Sequence, residues 1–426
     1  MSKDLFDKFQ PILDAHAGLP EGVDDPFSVR MDVVKSQTEA VIDGRDTILC
    51  GTNNYMGMTF DQNAMAAARK AVDDFGTGTT GSRVLNGTYA GHIDLENTLK
   101  DFYGTEYAMV FSTGYLANLG LLCTLPGPKD YIVIDADSHA SIYDGCSLGN
   151  ATVVRFRHND AADLEKRLGR LPEDAGVLIA VEGIYSMLGD AAPLKEIVEV
   201  KNKFGATLMV DEAHSMGFCG KTGRGVAQDL GVEDDVEFIV GTFSKSVGTV
   251  GGFVVSNHPK TEVLRLVARP YMFTASLPPS VVASARSSIE TLKTAEDLRK
   301  KLWANTRRLH KGLKDAGFRL GTPTAESPIT AVCLESTEQV VRFWSGLLRA
   351  GVYVNMAVPP ATPRDHYLLR CSVCASHTPK QIDIIIERFI EVAKAVGLKL
   401  SETPPSGEGE GTKGAPQEED TAAAMA

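Results

Sequence analysis

Gly241-Thr-Phe-Ser-Lys-Ser246 closes the short apolar run 238–241, downstream of Thr207-Leu-Met-Val-Asp211-Glu-Ala-His214. Both stretches pass from a continuous apolar run straight into residues that carry chemistry. Such runs are the signature of strands buried on both faces. Working outward, residues 108–111, 131–135, 152–156, 177–181 and 252–255 read as further strands. Helical patterns at 115–125, 161–168 and 194–204 fall between them. The alternation predicts an α/β fold whose mostly parallel central sheet is covered on both faces. Ligands of such sheets sit beyond the carboxyl ends of the strands, where Asp211 and the 241–246 loop fall.

Residues 1–48 read as an N-terminal helical arm (Leu5, Phe6, Phe9, Ile12, Leu13) followed by a polar connection. The sheet pattern occupies a large domain, 49–280. A smaller C-terminal α/β domain, 281–399, is expected to hold long helices (280–303, then to Leu313), two or three strands and a closing helix at 381–396. Residues 400–426 are rich in Pro, Gly, Glu and Ala and read as a disordered acidic tail.

The 426 residues carry a net charge of -12, with 43% hydrophobic and 23% charged residues, as in a globular protein. Residues 401–426 hold six acids against Lys413, so the acidity is concentrated there. An acidic body argues against nucleic-acid binding, which needs a basic face. Seven scattered cysteines suit a reducing cytoplasm better than a disulfide framework. Cys371-Ser-Val-Cys374 is a lone CxxC with no second ligand pair, so no metal is expected. No signal-peptide pattern and no long apolar run stands in the sequence; a peripheral membrane contact stays open.

Three nucleotide-binding look-alikes fail on context. Gly76-Thr-Gly-Thr-Thr-Gly81 follows a helical pattern instead of a strand. Asp211-Glu-Ala-His214 spells a helicase box, and Gly220-Lys-Thr222 a phosphate-loop ending, but Ser215 stands where that loop's first glycine belongs.

Lys245, flanked by small hydroxyl residues, is suited to capture an aldehyde, and Asp211 to pair with a pyridine nitrogen. Together they point to pyridoxal phosphate. An opposite charge keeps that nitrogen protonated. Phe111-Ser-Thr-Gly-Tyr115 lies between a strand and a helix, where backbone N–H groups can converge on a phosphate. His139, in Ser138-His-Ala-Ser141, lies at the same sheet edge and could stack on the ring or bond a substrate carboxylate. Plainer readings stand beside these: Asp211 as a helix N-cap, Lys245 as a solvated lysine, 111–115 as an ordinary turn.

With these residues in place the chain resembles the α-oxoamine synthases. These are fold-type I pyridoxal phosphate enzymes that join an amino acid to an acyl-CoA with loss of CO2. The likeness spans about 25–398. It rests on Asn54-Tyr-Met-Gly-Met58, Gly81-Ser-Arg-Val-Leu-Asn-Gly87, Asp135-Ala-Asp-Ser-His-Ala-Ser-Ile-Tyr-Asp144, Gly241-Thr-Phe-Ser-Lys-Ser-Val-Gly248, Phe273-Thr-Ala-Ser-Leu-Pro-Pro279 and Leu368-Leu-Arg-Cys371. Ser244-Lys-Ser246 favours the serine-using branch. The resemblance implies condensation of L-serine with palmitoyl-CoA or another long acyl-CoA. The products would be 3-oxosphinganine, CoA and CO2, the first step of sphingolipid synthesis. The alternative within the family is glycine or alanine with a shorter acyl-CoA.

The resemblance also implies roles. Lys245 would form the Schiff base, Asp211 would hold the pyridine nitrogen, and His139 would stack on the ring. His214 would contact the ring oxygen, with Gly114, Tyr115, Ser186, Thr242 and Ser244 completing the pocket. Thr274 and Ala275 would reach the phosphate of a neighbouring subunit, which implies a homodimer with the active site at the subunit interface. Arg370 would pair bidentately with the substrate carboxylate, assisted by His139 and Asn54. One position departs from the pattern: relatives can carry an arginine just before Pro359-Pro-Ala-Thr-Pro, where this chain has Val358. Arg370, His139 or Arg364 would then have to hold the carboxylate or CoA.

Overall fold

The computed structural model describes residues 4–359, 362 and 366–401. Fourteen strands are found among them: β1 (Met31–Val34), β2 (Glu39–Ile42), β3 (Arg45–Leu49), β4 (Tyr107–Phe111), β5 (Tyr131–Asp135), β6 (Thr152–Phe156), β7 (Val177–Glu182), β8 (Thr207–Asp211), β9 (Phe238–Thr242), β10 (Gly252–Ser256), β11 (Ile329–Leu334), β12 (Val352–Tyr353), β13 (Asn355–Ala357) and β14 (Tyr367–Ser372). Seven of them build the central sheet in the order β4-β10-β9-β8-β7-β5-β6. β5 to β9 run parallel, while β10 opposes both β4 and β9. Each matches its predicted run to within one residue.

Both faces of this sheet are covered. Along β4, Ala108 and Val110 join one apolar cluster, and Met109 and Phe111 join the other. β8 repeats the division, with Leu208 and Val210 against Met209. Alternate side chains of a strand point to opposite faces, so a strand with a core on each side must be apolar throughout.

The N-terminal segment differs from expectation. It is helical only over Asp7–Phe9 and Gln10–Ala17, and the stretch read as a polar connection folds into the meander β1-β2-β3. Asp43 and Gly44, at φ 49° and 72°, form the two-residue turn joining β2 to β3. Asp-Gly between short apolar runs is a hairpin signal, because both turn residues need positive φ. β3 then pairs in parallel with β12, tying the meander to the C-terminal part of the chain. There, β11, β14 and β13 form a separate antiparallel sheet. The long helices expected over 280–313 are Pro279–Lys293 and Glu296–Asp315, breaking at 294–295 instead of near 303, and the closing helix is Pro379–Ala395. No described helix is long and apolar enough to cross a membrane. The tail from 402 onward, and Arg364, lie outside the described residues.

Candidate active site

β5, β7 and β8 end in Asp135, Glu182 and Asp211, so three buried carboxylates share the carboxyl edge of the sheet. Glu182 and Asp211 are register partners. Asp211 is gripped from two sides: the Asn118 side-chain amide donates to Oδ2 at 2.8 Å, and the Ala213 N–H to Oδ1 at 2.9 Å. Asn118 projects from helix Gly114–Leu122, which starts directly after β4 and is capped by Thr113, whose Oγ1 accepts the Leu116 N–H at 3.1 Å.

Lys245 follows β9. Burial lowers its ammonium to about 8; the Asp211 and Glu182 carboxylates pull the other way, and the Arg370 charge adds to the lowering. Its amine therefore gives up its proton far closer to physiological pH than an ordinary lysine does. Before it, the Ser244 N–H donates to Thr242 Oγ1 at 3.2 Å, and Thr242 Oγ1 donates to the Gly251 carbonyl at 3.0 Å. A Cβ on Gly114 would come within 2.8 Å of Thr242 Cβ. Glycine thus lets the helix N-terminus seat against the loop that carries the lysine.

His139 caps helix Ala140–Leu148, its Nδ1 accepting the Ser141 N–H at 3.2 Å. Its own N–H donates to Glu182 Oε1 at 2.6 Å. Burial lowers the imidazole pKa, opposed by Asp211 and reinforced by Lys245. His214 is buried, its Nδ1 lies 2.8 Å from the Tyr55 hydroxyl, and burial pushes its pKa well down.

Arg370, on β14, is buried and already heavily engaged. Nε donates to the Ser186 carbonyl at 2.5 Å, Nη1 to Asn53 Oδ1 at 3.1 Å and Ser372 Oγ at 2.9 Å, and Nη2 to the Tyr55 hydroxyl at 3.2 Å. Guanidinium has five N–H donors. Four are used, leaving one on Nη2, so a forked grip on a carboxylate requires one of these partners to yield.

The other sequence-predicted residues fall as follows. Tyr115 donates to Asp144, and Ser186 meets Arg370 through its backbone. The Ala275 carbonyl accepts from Ser112 Oγ at 2.6 Å, and Thr274 lines a small cavity with Ser112 and Arg83 of the same chain. Asn54 turns away: its amide donates to Thr59 at 2.7 Å, and it is Asn53 that reaches Arg370. Val358 packs against the main core cluster. Asn118, Ser141, Glu182, Tyr55 and Asn53 were missed. Asn118, a polar residue inside the apolar run Leu116-Ala-Asn-Leu119, was the clearest signal available.

These residues fit pyridoxal phosphate. They offer an amine that loses its proton readily for its aldehyde, a buried carboxyl group for its ring nitrogen, and a glycine cradle at a helix start. N–H groups in a first helical turn have no partner inside the helix and suit a phosphate. Among the described residues no His, Cys, Asp and Glu cluster could hold a metal ion.

The aminotransferase class I and II family model matches residues 45–389. Serine palmitoyltransferase of Sphingomonas paucimobilis is 59% identical over 397 residues, covering 93% of this chain and 94% of that protein. Serine palmitoyltransferase of Sphingomonas wittichii superposes with a TM-score of 0.91 at 62% identity, covering 93% of this chain and all of that one. A high-resolution structure of serine palmitoyltransferase with its pyridoxal phosphate internal aldimine gives a TM-score of 0.92 at 59% identity, with coverage of 93% and 100%. The chain belongs to the aminotransferase class I and II family and, within it, to the pyridoxal phosphate-dependent serine palmitoyltransferases.

Proposed function

We propose that the site joins L-serine to a long-chain acyl-CoA, palmitoyl-CoA by preference, with release of CoA and CO2 to give 3-oxosphinganine. The observation that carries this is Lys245, lowered to about 8 beside Asp211, at the carboxyl edge of the sheet. Lys245 would hold the cofactor aldehyde, Asp211 its ring nitrogen, His214 its ring oxygen and the 112–115 helix start its phosphate, with His139 against the ring. When bound, pyridoxal phosphate supplies a cationic ring that accepts the electron pair left at the amino-acid Cα.

The chain's own residues do the rest. Arg370 and the Nε2–H of His139 orient the serine carboxylate, so that the bond to be broken is fixed in direction. Lys245, once free, is a base matched to neutral pH and takes the α-proton. Cα then bonds to the thioester carbon, the C–S bond breaks and CoA leaves. The C–CO2 bond breaks next, and a proton returns to Cα. With Val358 packed against the apolar core, Arg370 and His139 carry the carboxylate among the described residues.

The same reading includes a homodimer in which Thr274 and Ala275 serve the neighbouring subunit. Exposed Leu85 and Phe273 beside them support that face as an interface. Exposed Leu5, Phe6, Ile12 and Leu13 support a peripheral membrane contact for the lipid product, and seven free cysteines support a cytoplasmic setting. The test is spectroscopic. Purified protein should show the visible absorption of a lysine-bound cofactor, and Lys245→Ala should lack it. A colourless unsubstituted protein after incubation with pyridoxal phosphate would refute the reading.

A further inference from the structure

Asn118 is only 1% exposed, in the middle of an otherwise apolar helix. Its amide nitrogen lies 2.8 Å from Asp211 Oδ2 and 2.9 Å from Ser141 Oγ. Ser141 Oγ in turn lies 2.7 Å from His139 Nδ1, which also accepts the Ser141 backbone N–H at 3.2 Å. Every hydrogen in this chain of contacts has a forced direction. A carboxylate only accepts, so the amide must present its nitrogen to Asp211. The second hydrogen of that nitrogen then points at Ser141 Oγ, leaving the hydroxyl hydrogen for His139. A backbone N–H only donates, so Nδ1 must carry a lone pair.

We propose that Asn118 and Ser141 are positioning residues that tie Asp211 to His139 and hold the imidazole as the neutral tautomer with its proton on Nε2. The one donor left on the ring is then Nε2–H, the atom the reaction needs to face a carboxylate. The state of one ring nitrogen is set by the bond the other makes. The inference rests on the reading of the site as a pyridoxal phosphate centre. Four ionisable groups face His139 from the packed elements: Glu182 at the end of β7, Asp211 at the end of β8, His214 just beyond it, and Lys245 after β9. The relay is the contact that discriminates between the two ring nitrogens, since a distant charge acts on the ring as a whole.

The test is nitrogen NMR of the holoenzyme with labelled histidine, the His139 signal being the one absent from His139→Gln. Native protein should show a bare Nδ1 and a protonated Nε2. Ser141→Ala removes a donor to the neutral ring, so protonation becomes easier and the pH midpoint should rise by about one unit. Asn118→Leu, of similar volume, should raise it as well. The double variant should move it no further than the larger single change, because the two act in series. A residue that merely supports the fold would lower thermal stability and leave the midpoint in place. If Asn118→Leu does not fold, Ser141→Ala decides alone. A proton on Nδ1 in the native protein, or an unmoved midpoint in Ser141→Ala, overturns the relay. Absence of cofactor absorbance from the native protein would instead sink the reading of the site, while the histidine signal still reports on the relay.

Discussion

Glu182 and Asp211 stand side by side at the ends of β7 and β8, register partners in one strand pair. Burial first, and the Asp211 charge second, push the Glu182 carboxyl well above its usual range. The shift favours the neutral acid at Glu182, and its Oε1 accepts the His139 backbone N–H. Glu182→Gln keeps both the neutral state and the acceptor, so unfolding free energy should change by less than about 1 kcal/mol. Glu182→Ala strands a buried N–H and should cost ~1–3 kcal/mol. Chemical denaturation compares the three; a glutamine variant as damaged as the alanine one would show that the acid is ionised.

The lysine gives a pH prediction with a definite sign. In the folded, cofactor-free protein its value is about 8, below the ordinary 10.5. Between those limits the unfolded chain binds more protons, so the Lys245 contribution to stability is present above the ordinary value and lost as pH falls through about 8. The free amine appears over the same window. The rate of pyridoxal phosphate uptake should therefore climb through about pH 8, and a rise only near 10.5 would contradict the lowering.

Arg370→Lys separates binding from support. A lysine cannot reproduce contacts to Ser186, Asn53, Ser372 and Tyr55 at once. We expect a loss of ~2–4 kcal/mol in stability from stranded buried acceptors, together with a KM for serine raised at least about tenfold. Steady-state kinetics beside thermal unfolding reads both. An unchanged KM would remove Arg370 from carboxylate recognition.

His158 lies outside the chemistry, yet it anchors the same sheet edge. Nδ1–H donates to Asp135 at 2.9 Å and Nε2–H to Asp190 at 2.7 Å. Burial disfavours the charged ring, but the two carboxylates outweigh it and raise the value to about 10. A raised value means that the contribution is fully present below the unfolded value, near 6.5, and is lost as pH rises through about 10. Native stability should fall across that window by up to roughly 4 kcal/mol, and His158→Gln should flatten the slope. Denaturation at pH 6, 8 and 10 measures it.

The central sheet was legible because strands buried on both faces must be apolar throughout, and the runs that lead into Asp135, Asp211 and the 241–246 loop pass straight into polar residues. Asp211, Lys245 and His139 followed from those ends. Asn118 left one mark, a polar residue inside an apolar run, but neither it nor Ser141 announced a role, because their work is to position other side chains and their type carries no reaction of its own. Asn53 and Asn54 differ by one place, and sequence cannot tell which of two adjacent amides turns toward Arg370. The meander at Met31–Leu49 was hidden by strands of four and five residues, too short to show a period, although Asp43-Gly44 marked its turn.

The most direct measurement is release of labelled CO2 from carboxyl-labelled serine, glycine and alanine, each with palmitoyl-, acetyl- and succinyl-CoA. The account predicts release from serine with palmitoyl-CoA above every other pair, abolished in Lys245→Ala. Faster release from glycine or alanine with a short acyl-CoA, or serine turnover that survives the loss of Lys245, would contradict it.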